Sequence, residues 1–448
     1  TLTSTSIDLS TIAAGTGGFV INGQNANDQS GRSVANAGDV NGDGFSDLIV
    51  GAPFGDPQAG LNAGRSYVVF GKSTSIALDL SAVASGIGGF VINGKSAYDL
   101  SGFSVAGAGD INGDGFADLI LGAYWSSTTA GASAGRSYVI FGKPNSAAVD
   151  LSAVAAGIGG FVINGQSFND VSGFSVAGAG DVNGDSLADL VVGAPWSDPL
   201  AGSMAGRSYV IFGKTNSLQL DLSAVATGIG GFVINGQCAN DNSGRSIASA
   251  GDVNGDGLAD VIIGAYRSMP AGAYSGRSYI VFGKSDSTAI DLSAVAGGAG
   301  GFVINGQNAN DCSGRSVASA GDVNGDGLAD LVVGADRSDP AAGTDAGRSY
   351  VIFGKSNSAA IELSSIVAGI GGFVINGQCA NDESGRSVSS AGDINGDGLS
   401  DLIVGAPLSD PAARLFAGRS YVVFGKSNSN PIDLSGIAEG VGGFVING

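Results

Sequence analysis

Residues 33–40, Ser-Val-Ala-Asn-Ala-Gly-Asp-Val, are rich in small side chains, and a run of aliphatics, Leu48-Ile49-Val50, follows inside residues 47–52. The small residues suit a strand crowded against a central axis; an unbroken aliphatic run predicts a strand covered on both faces. Residues 65–70, Arg-Ser-Tyr-Val-Val-Phe, stop at Gly71 and read as a third strand. Residues 19–22, Phe-Val-Ile-Asn, stop at Gly23 and read as a fourth, which recurs at 90–93. Aromatic and β-branched residues bounded by glycine carry both assignments. Between a third and a fourth strand lies a stretch such as Asp150-Leu151-Ser152-Ala153-Val154-Ala155. It predicts a short helical turn capped by Asp or Ser.

The pattern repeats. Asp-x-Asn-Gly-Asp begins at Asp39, Asp110, Asp181, Asp252, Asp322 and Asp393, at intervals of 70 or 71 residues. Four short strands per repeat of this length match one propeller blade. The expected fold is all-β: a β-propeller of four-stranded antiparallel blades, six in number, with seven possible. A linear β-solenoid is the alternative, but its coils are usually shorter. One propeller is expected over residues 1–448, with repeats at about 19–89, 90–160, 161–231, 232–301, 302–372 and 373–443. Residues 444–448 then form a surplus strand, because Phe-Val-Ile-Asn-Gly occurs seven times, from Phe19 to Phe444, and every other strand six times. Either the first or the last copy is in excess. An unpaired strand seeks an edge, so a strand-exchanged homopolymer is one expectation.

Composition narrows the chemistry. The chain has 448 residues, a net charge of −20 and no histidine. The acidic surface repels phosphate, which argues against nucleic acid and anionic lipid. The missing histidine removes the commonest general base and the commonest transition-metal ligand. Cys238, Cys312 and Cys379 are too few and too odd in number for a disulfide framework. No apolar run reaches the ~20 residues needed for membrane insertion as a helix. A chain starting at Thr1 reads as processed or cut from something longer.

The loops carry specific chemistry. In the first, Asp39, Asn41, Asp43 and Asp47 put oxygen side chains at positions 1, 3, 5 and 9, with the carbonyl of Phe45 at position 7. A hard cation with 6–8 oxygen ligands wants this set, and Gly42 and Gly44 allow the backbone to wrap it. The same set recurs at Asp110, Asn112, Asp114, Phe116 and Asp118; at Asp181, Asn183, Asp185, Leu187 and Asp189; at Asp252, Asn254, Asp256, Leu258 and Asp260; at Asp322, Asn324, Asp326, Leu328 and Asp330; and at Asp393, Asn395, Asp397, Leu399 and Asp401. An Asp/Asn/Gly turn without metal would explain one copy. Three carboxylates at close quarters in each of six loops repel one another without a cation. About six Ca²⁺ are therefore expected, in preference to Mg²⁺, which favours smaller octahedral sites. The third loop has Ser186 where the others have glycine, and its site should bind most weakly.

These residues resemble the FG-GAP repeat, found in integrin α-subunit propellers and in large bacterial surface proteins. The stretch Gly102-Phe103-Ser104-Val105-Ala106, the loop from Asp110 to Asp118, and Gly51-Ala52-Pro53 carry the likeness across nearly the whole chain. It implies a propeller, calcium at these loops, and an extracellular or cell-surface adhesion or matrix role, of the bacterial kind. The chain departs from the family by placing Arg32, Arg245, Arg315 and Arg386 where an aromatic is usual. It also departs by offering six loops where integrin propellers have seven blades.

In a meander the calcium loops join strands one and two on one face, and the 2–3 connections lie on the other. Variation between repeats concentrates in that second loop, which holds Trp125, Trp196, Arg267, Arg337 and Arg414. A fixed framework with a varied loop suggests recognition there, so a protein or glycan ligand is expected on the face away from calcium. Drift at an unconstrained loop explains the variation equally well. The regular series begun by Arg65 and by Asp28 reads as an interblade pair. No catalytic residues are expected: acidic pairs suited to glycoside hydrolysis stand inside the calcium loops. The expected function is a binding module, not an enzyme, in adhesion or as a surface scaffold. The alternatives are a structural filament or surface-layer subunit and a carbohydrate-binding propeller with Trp125 and Trp196 stacking on sugars.

Overall fold

The repeated strand pattern folds into six sheets, the blades of a β-propeller, in a computed structural model that describes residues 6–411 and 414–448. Blade 2 serves as the example. Its strands are Ser104–Gly109, Asp118–Ala123, Arg136–Ile140 and Gly160–Asn164, hydrogen-bonded in that order and antiparallel throughout. A fifth strand, Leu220–Asp221, comes from the next repeat and runs parallel to the fourth. The expected four antiparallel strands are present, and the short parallel strand is added at their outer edge. Two residues were too short a run to register as a strand in the sequence.

The fifth strand is clasped by a side chain. Asn93 Nδ2 donates to Asp150 Oδ1 at 3.1 Å, Asn164 to Asp221 at 2.9 Å, and Asn376 to Asp433 at 2.9 Å. The expected helical turn follows directly, at Leu151–Ala155, but Asp150 makes no side-chain cap to it. Its carboxylate is already engaged by Asn93.

The blades fall into two compact units. One comprises residues 12–239 and 284–290, with blades 1 to 3; the other comprises 1–11, 240–283 and 291–448, with blades 4 to 6. Within each unit the core lies between one blade and the next. Ala37, Val40, Ile49 and Val68 of blade 1 bury against Val105, Leu119, Leu121 and Tyr138 of blade 2. Ala320, Val323, Val332 and Val351 of blade 5 meet Val388, Leu402, Val404 and Tyr421 of blade 6 in the same way. Burying Phe90, Phe161, Phe302 and Phe373 completely contributes roughly 1.5–3 kcal/mol each. Hydrogen bonds cross the same interface: Ser33 Oγ accepts from the Val105 amide at 3.1 Å, and the Val40 carbonyl accepts from the Lys143 amide at 2.8 Å.

Among the described residues, two faces lack that cover. Val34 on the first strand of blade 1 is 64% exposed, whereas its equivalents Val105 and Val176 are 5% and 6% exposed. Leu48 is 40% exposed where Leu119 and Leu190 are fully buried. In the other unit, Ile394 of blade 6 is 41% exposed, while Val253 and Val323 are fully buried.

The seven-against-six count of Phe-Val-Ile-Asn resolves at the first copy. Gly443–Asn447 pairs with Arg419–Val423 on one side and with Ser6–Asp8 on the other, completing blade 6. Residues 444–448 are therefore not surplus, and that expectation is corrected. Ile21–Asn22 is the strand outside the blades, and its partner is the two-residue strand Leu78–Asp79. Pattern alone could not choose between them, because both copies have the same sequence.

Truncating Phe161 to Ala should cost about 3–5 kcal/mol, and Val34 to Ala less than about 0.5 kcal/mol. Urea melts of the two variants check this. Equal losses would mean that blade 1 is covered as the others are.

Candidate metal-binding loops and the opposite loops

Each Asp-x-Asn-Gly-Asp loop follows a bulge in the first strand. In blade 2 the register shifts between Gly107 and Gly109, and Gly109 sits at φ +71°. A Cβ there would meet that of Ala188, on the neighbouring loop, at 2.7 Å, so only glycine fits. The bulge turns the chain away from the sheet and into the loop.

The loop then closes on its own carboxylates. Asp39 Oδ1 accepts from the amides of Gly42 at 2.7 Å and Asp43 at 3.0 Å, and its Oδ2 accepts from Gly44 at 2.8 Å. Asn41 Oδ1 accepts from the Asp43 amide at 2.8 Å, and Asn41 Nδ2 donates to Asp43 Oδ2 at 2.9 Å. Asp43 Oδ1 accepts from the Phe45 amide at 2.9 Å. Positions 1, 3 and 5 are thereby gathered into one tight turn.

Position 9 has a different task. Asp47 is fully buried; its Oδ2 accepts from the Val40 amide at 3.0 Å and its Oδ1 from the Gly71 amide at 2.8 Å. It ties the end of strand one to the end of strand three. Asp118, Asp189, Asp260 and Asp330 repeat the arrangement. Burial pushes Asp118 and Asp260 up to about 7 and Asp189 and Asp330 up to about 6. The two amide donors oppose the shift, and the neighbouring loop carboxylates add to it. The need for both amides explains why the ninth residue is Asp in every copy.

The loops are also chained from blade to blade. The Ala117 amide donates to the Asp39 carbonyl at 3.1 Å, and Ala188 to the Asp110 carbonyl at 3.1 Å. In the other unit Ala329 donates to Asp252 and Ser400 to Asp322. Position 8 is small because it lies against the preceding loop. Position 7 packs there too: a Cβ on Gly42 would approach the Phe116 ring at 2.7 Å. Phe45, with no loop before it, is 53% exposed.

The donors suit a hard cation. They are all oxygen, they stand at alternate positions, and a buried carboxylate lies beside two others. Among the described residues, however, no three acidic side chains converge into a metal cluster. In the first loop the Asn41 amide nitrogen faces Asp43 Oδ2. In the third loop Ser186 holds φ +73° and still donates its amide to Asp181 Oδ2 at 2.8 Å. The loop keeps its shape at the cost of a strained serine.

At the other end of strand two, about 17–20 Å away for a six-residue strand, lie the varied loops. In the unit with blades 1 to 3, Trp125 is 45% exposed and Trp196 half-buried. Trp125 meets Tyr124 edge-on, and Tyr124 packs with Phe103 and Phe174. Arg32 stacks on Phe103 at 4.6 Å. In the unit with blades 4 to 6, Arg245, Arg267 and Arg315 gather around the Tyr266 ring at 5.4–5.8 Å. Arg315 and Arg386 both pair with buried Asp336, at 3.4 and 3.3 Å. The arginines that replace the family aromatic thus still pack on aromatics or on Asp336. Arg337 and Arg414 are exposed. Sequence reasoning missed Asp336 and Tyr266. The signal was present, since Asp336 stands where the first, third and sixth repeats have Pro53, Pro195 and Pro407.

In blade 3 the regular arginine bonds to amide side chains. Arg207 Nε donates to Asn235 Oδ1 at 3.1 Å in its own blade, and Arg207 Nη1 to Gln166 Oε1 at 3.4 Å. Tyr209 Oη donates to the same Gln166 oxygen at 2.6 Å. Gln166 thus links the arginine and the tyrosine of that blade. Cys238 and Cys379 are exposed, Cys312 is buried, and none of the three is in a disulfide.

The FG-GAP repeat model matches residues 30–69, 101–140, 172–211, 243–281, 313–352 and 384–423, more than half of the chain. The chain belongs to the FG-GAP repeat family. Each match runs through the first three strands of one blade and its loop. Among similar proteins, integrin alpha pat-2 of Caenorhabditis elegans is 30% identical over 249 residues, covering 54% of this chain and 18% of that protein. Integrin alpha-PS2 of Drosophila melanogaster is 28% identical over 214 residues, 45% of this chain and 14% of that protein. Phosphatidylinositol-glycan-specific phospholipase D of Dictyostelium discoideum is 31% identical over 194 residues, 41% of this chain and 20% of that protein. The matches span a fifth or less of the length of these relatives.

Replacing Ser186 by Gly should relieve about 1–2 kcal/mol of backbone strain and give back about 0.4–1 kcal/mol in chain entropy. A net gain of about 0.5–1 kcal/mol is expected in metal-free urea melts. A loss would show that the serine hydroxyl contributes to the loop.

Proposed function

We propose that the chain is an extracellular calcium-binding propeller module that acts in adhesion or as a surface scaffold, and not as an enzyme. The observation that carries this is the loop itself. Six times, three carboxylates and an asparagine oxygen are placed on one tight turn, with the ninth-position Asp bridging strands one and three. A divalent cation there would offset the mutual repulsion of those carboxylates and brace each hairpin. Asp39, Asn41, Asp43, the Phe45 carbonyl and Asp47 would hold it in the first loop. Likeness to integrin α chains supports the adhesive setting.

The non-enzymatic reading rests on the chain's own chemistry. It has no histidine, and its acidic pairs lie in the loops that a cation would occupy. The phospholipase D relatives match over only about a fifth of their length, so their printed activity does not transfer. Among the described residues, no helix is long and apolar enough to cross a membrane.

The ligand would sit at the varied loops, away from calcium. Exposed Trp125 favours a glycan there as a second reading, because an aromatic face stacks on sugar rings. Glycan-array binding that disappears with Trp125→Ala supports that reading, and its persistence removes it.

Thermal melts with millimolar calcium, magnesium or a chelator test the main proposal. At a hundredfold excess over Kd, each site adds about 2.7 kcal/mol, so calcium should raise Tm by many degrees and magnesium by less. Identical melts in calcium and chelator would sink it. Asp114→Asn should lower calcium affinity while leaving the metal-free melt nearly unchanged. Asp118→Asn should cost about 1–3 kcal/mol even without metal, because its amide nitrogen would face the Ile111 or Gly142 N–H.

A further inference from the structure

Equivalent positions carry opposite chemistry in different blades. Seven residues before each loop, blades 2 and 3 have Phe103 and Phe174, while blades 4 and 5 have Arg245 and Arg315. Fifteen residues after the loop begins, blades 2 and 3 have Trp125 and Trp196, while blades 4 and 5 have Arg267 and Arg337. Blade 6 adds Arg386. All five arginines belong to the unit with blades 4 to 6 and stand at its varied end.

The protein only partly neutralises this group. Arg315 Nε and Arg386 Nη1 share one oxygen, Asp336 Oδ2, at 3.4 and 3.3 Å, and Arg386 Nη1 also meets Glu383. Charge-assisted hydrogen bonds are shorter, about 2.7–2.9 Å, and a guanidinium fork grips a carboxylate best through two nitrogens. Each arginine uses one nitrogen here. Among the described residues, the other nitrogens of Arg315 and Arg386 have no protein acceptor. Nor does any carboxylate there stand within ion-pair distance of Arg267 or Arg337. Arg337 follows Asp336 directly, and its charge reaches that carboxylate.

The group is anchored at its centre and open at its rim. Arg245, Arg267 and Arg315 lie over the Tyr266 ring at 5.4, 5.5 and 5.8 Å. Burial holds Arg245 below the ordinary guanidinium range, and the charges of Arg315, Arg267 and Arg386 push it the same way. Like charges held this close repel one another, and an anion between them offsets the repulsion. Arg337 and Arg386 are exposed. The chain's net charge of −20 does not cancel the group locally. The acidic loops lie at the other end of the strands, about 17–20 Å away, against a screening length of ~8 Å at physiological salt.

We infer that this arginine group binds an anionic polysaccharide through its sulfate or carboxylate groups. Planar guanidinium forks suit both oxyanions. Several forks fixed against Tyr266 and Asp336 suit a stiff chain with charges at regular intervals, which loses less conformational entropy on binding than the flexible acidic side chains of a peptide. The inference rests on the reading that the varied loops carry recognition, and is independent of the ion at the other end.

The test is binding of the whole chain to dextran sulfate, hyaluronate, neutral dextran and poly-glutamate at physiological salt, in calcium and in chelator. The charged polysaccharides should bind, neutral dextran should not, and added salt should weaken the binding. Arg267→Gln together with Arg337→Gln should lower the affinity about tenfold or more and leave the thermal melt near that of the parent. Arg337→Gln alone, at an exposed position, should lower it by a smaller factor. Failure of both charged polysaccharides to bind, or an affinity unchanged in the double variant, overturns the inference. So does equal or tighter binding of poly-glutamate, because the occupant is then an acidic polypeptide. Polysaccharide binding that falls with Trp125→Ala but ignores the arginines overturns it and leaves the varied loops as the ligand end. Binding that ignores all these changes and disappears in chelator removes that reading as well.

Discussion

Burial of one blade's apolar face against the next is the interaction on which this protein depends. A single sheet of this sequence could not cover Val, Ile, Leu and Phe on both faces. Stacking covers them, so each blade is stable only through its neighbours. The consequences reach every feature of the repeat. Position 8 of the loop is small because it sits on the preceding loop. Glycine before the loop is needed because Ala188 lies 2.7 Å from where a Cβ would be. The Asn–Asp clasp joins the fifth strand of one repeat to the fourth strand of another.

The loops extend this logic from packing to electrostatics. Each turn is organised by backbone amides aimed at Asp39 and its equivalents, so the loop forms before any ion is considered. The ninth-position Asp is part of the fold, buried and clipped by two amides. The third position is half-buried and the fifth exposed, and Asn41 Nδ2 donates to Asp43 Oδ2 between them. A cation would therefore act on a loop that is already shaped, and its effect would fall on the Asn41–Asp43 contact, which must open. Because Asp39, Asp110, Asp252 and Asp322 each accept a hydrogen bond from the following loop, bracing one of these loops should be felt by its neighbour within the unit.

The two ends of a blade divide the work. The loop end is nearly invariant and is held by hydrogen bonds. The opposite end varies, and there the unit with blades 1 to 3 collects aromatics while the unit with blades 4 to 6 collects arginines around Tyr266 and Asp336. A net charge of −20 makes that cationic group stand out. Recognition at this end would be set by loops that the sheets position but do not constrain.

The sequence by itself determined the blade. Runs of small, aliphatic and aromatic residues bounded by glycine, the 70- or 71-residue period and the loop spacing located the first four strands, the helical turn and the oxygen donors, because each depends on residues close along the chain. Tertiary structure decided what depends on neighbours. The two-residue fifth strand exists only because another repeat supplies its partner. Asp150 clasps Asn93, not its own helix, for the same reason. The loop carboxylates were legible as a set, but not the buried role of Asp47, which needs Gly71 from a distant strand. Identical copies at Phe19 and Phe444 could be told apart only by what lies beside them: a third strand beside one, and an open edge beside the other.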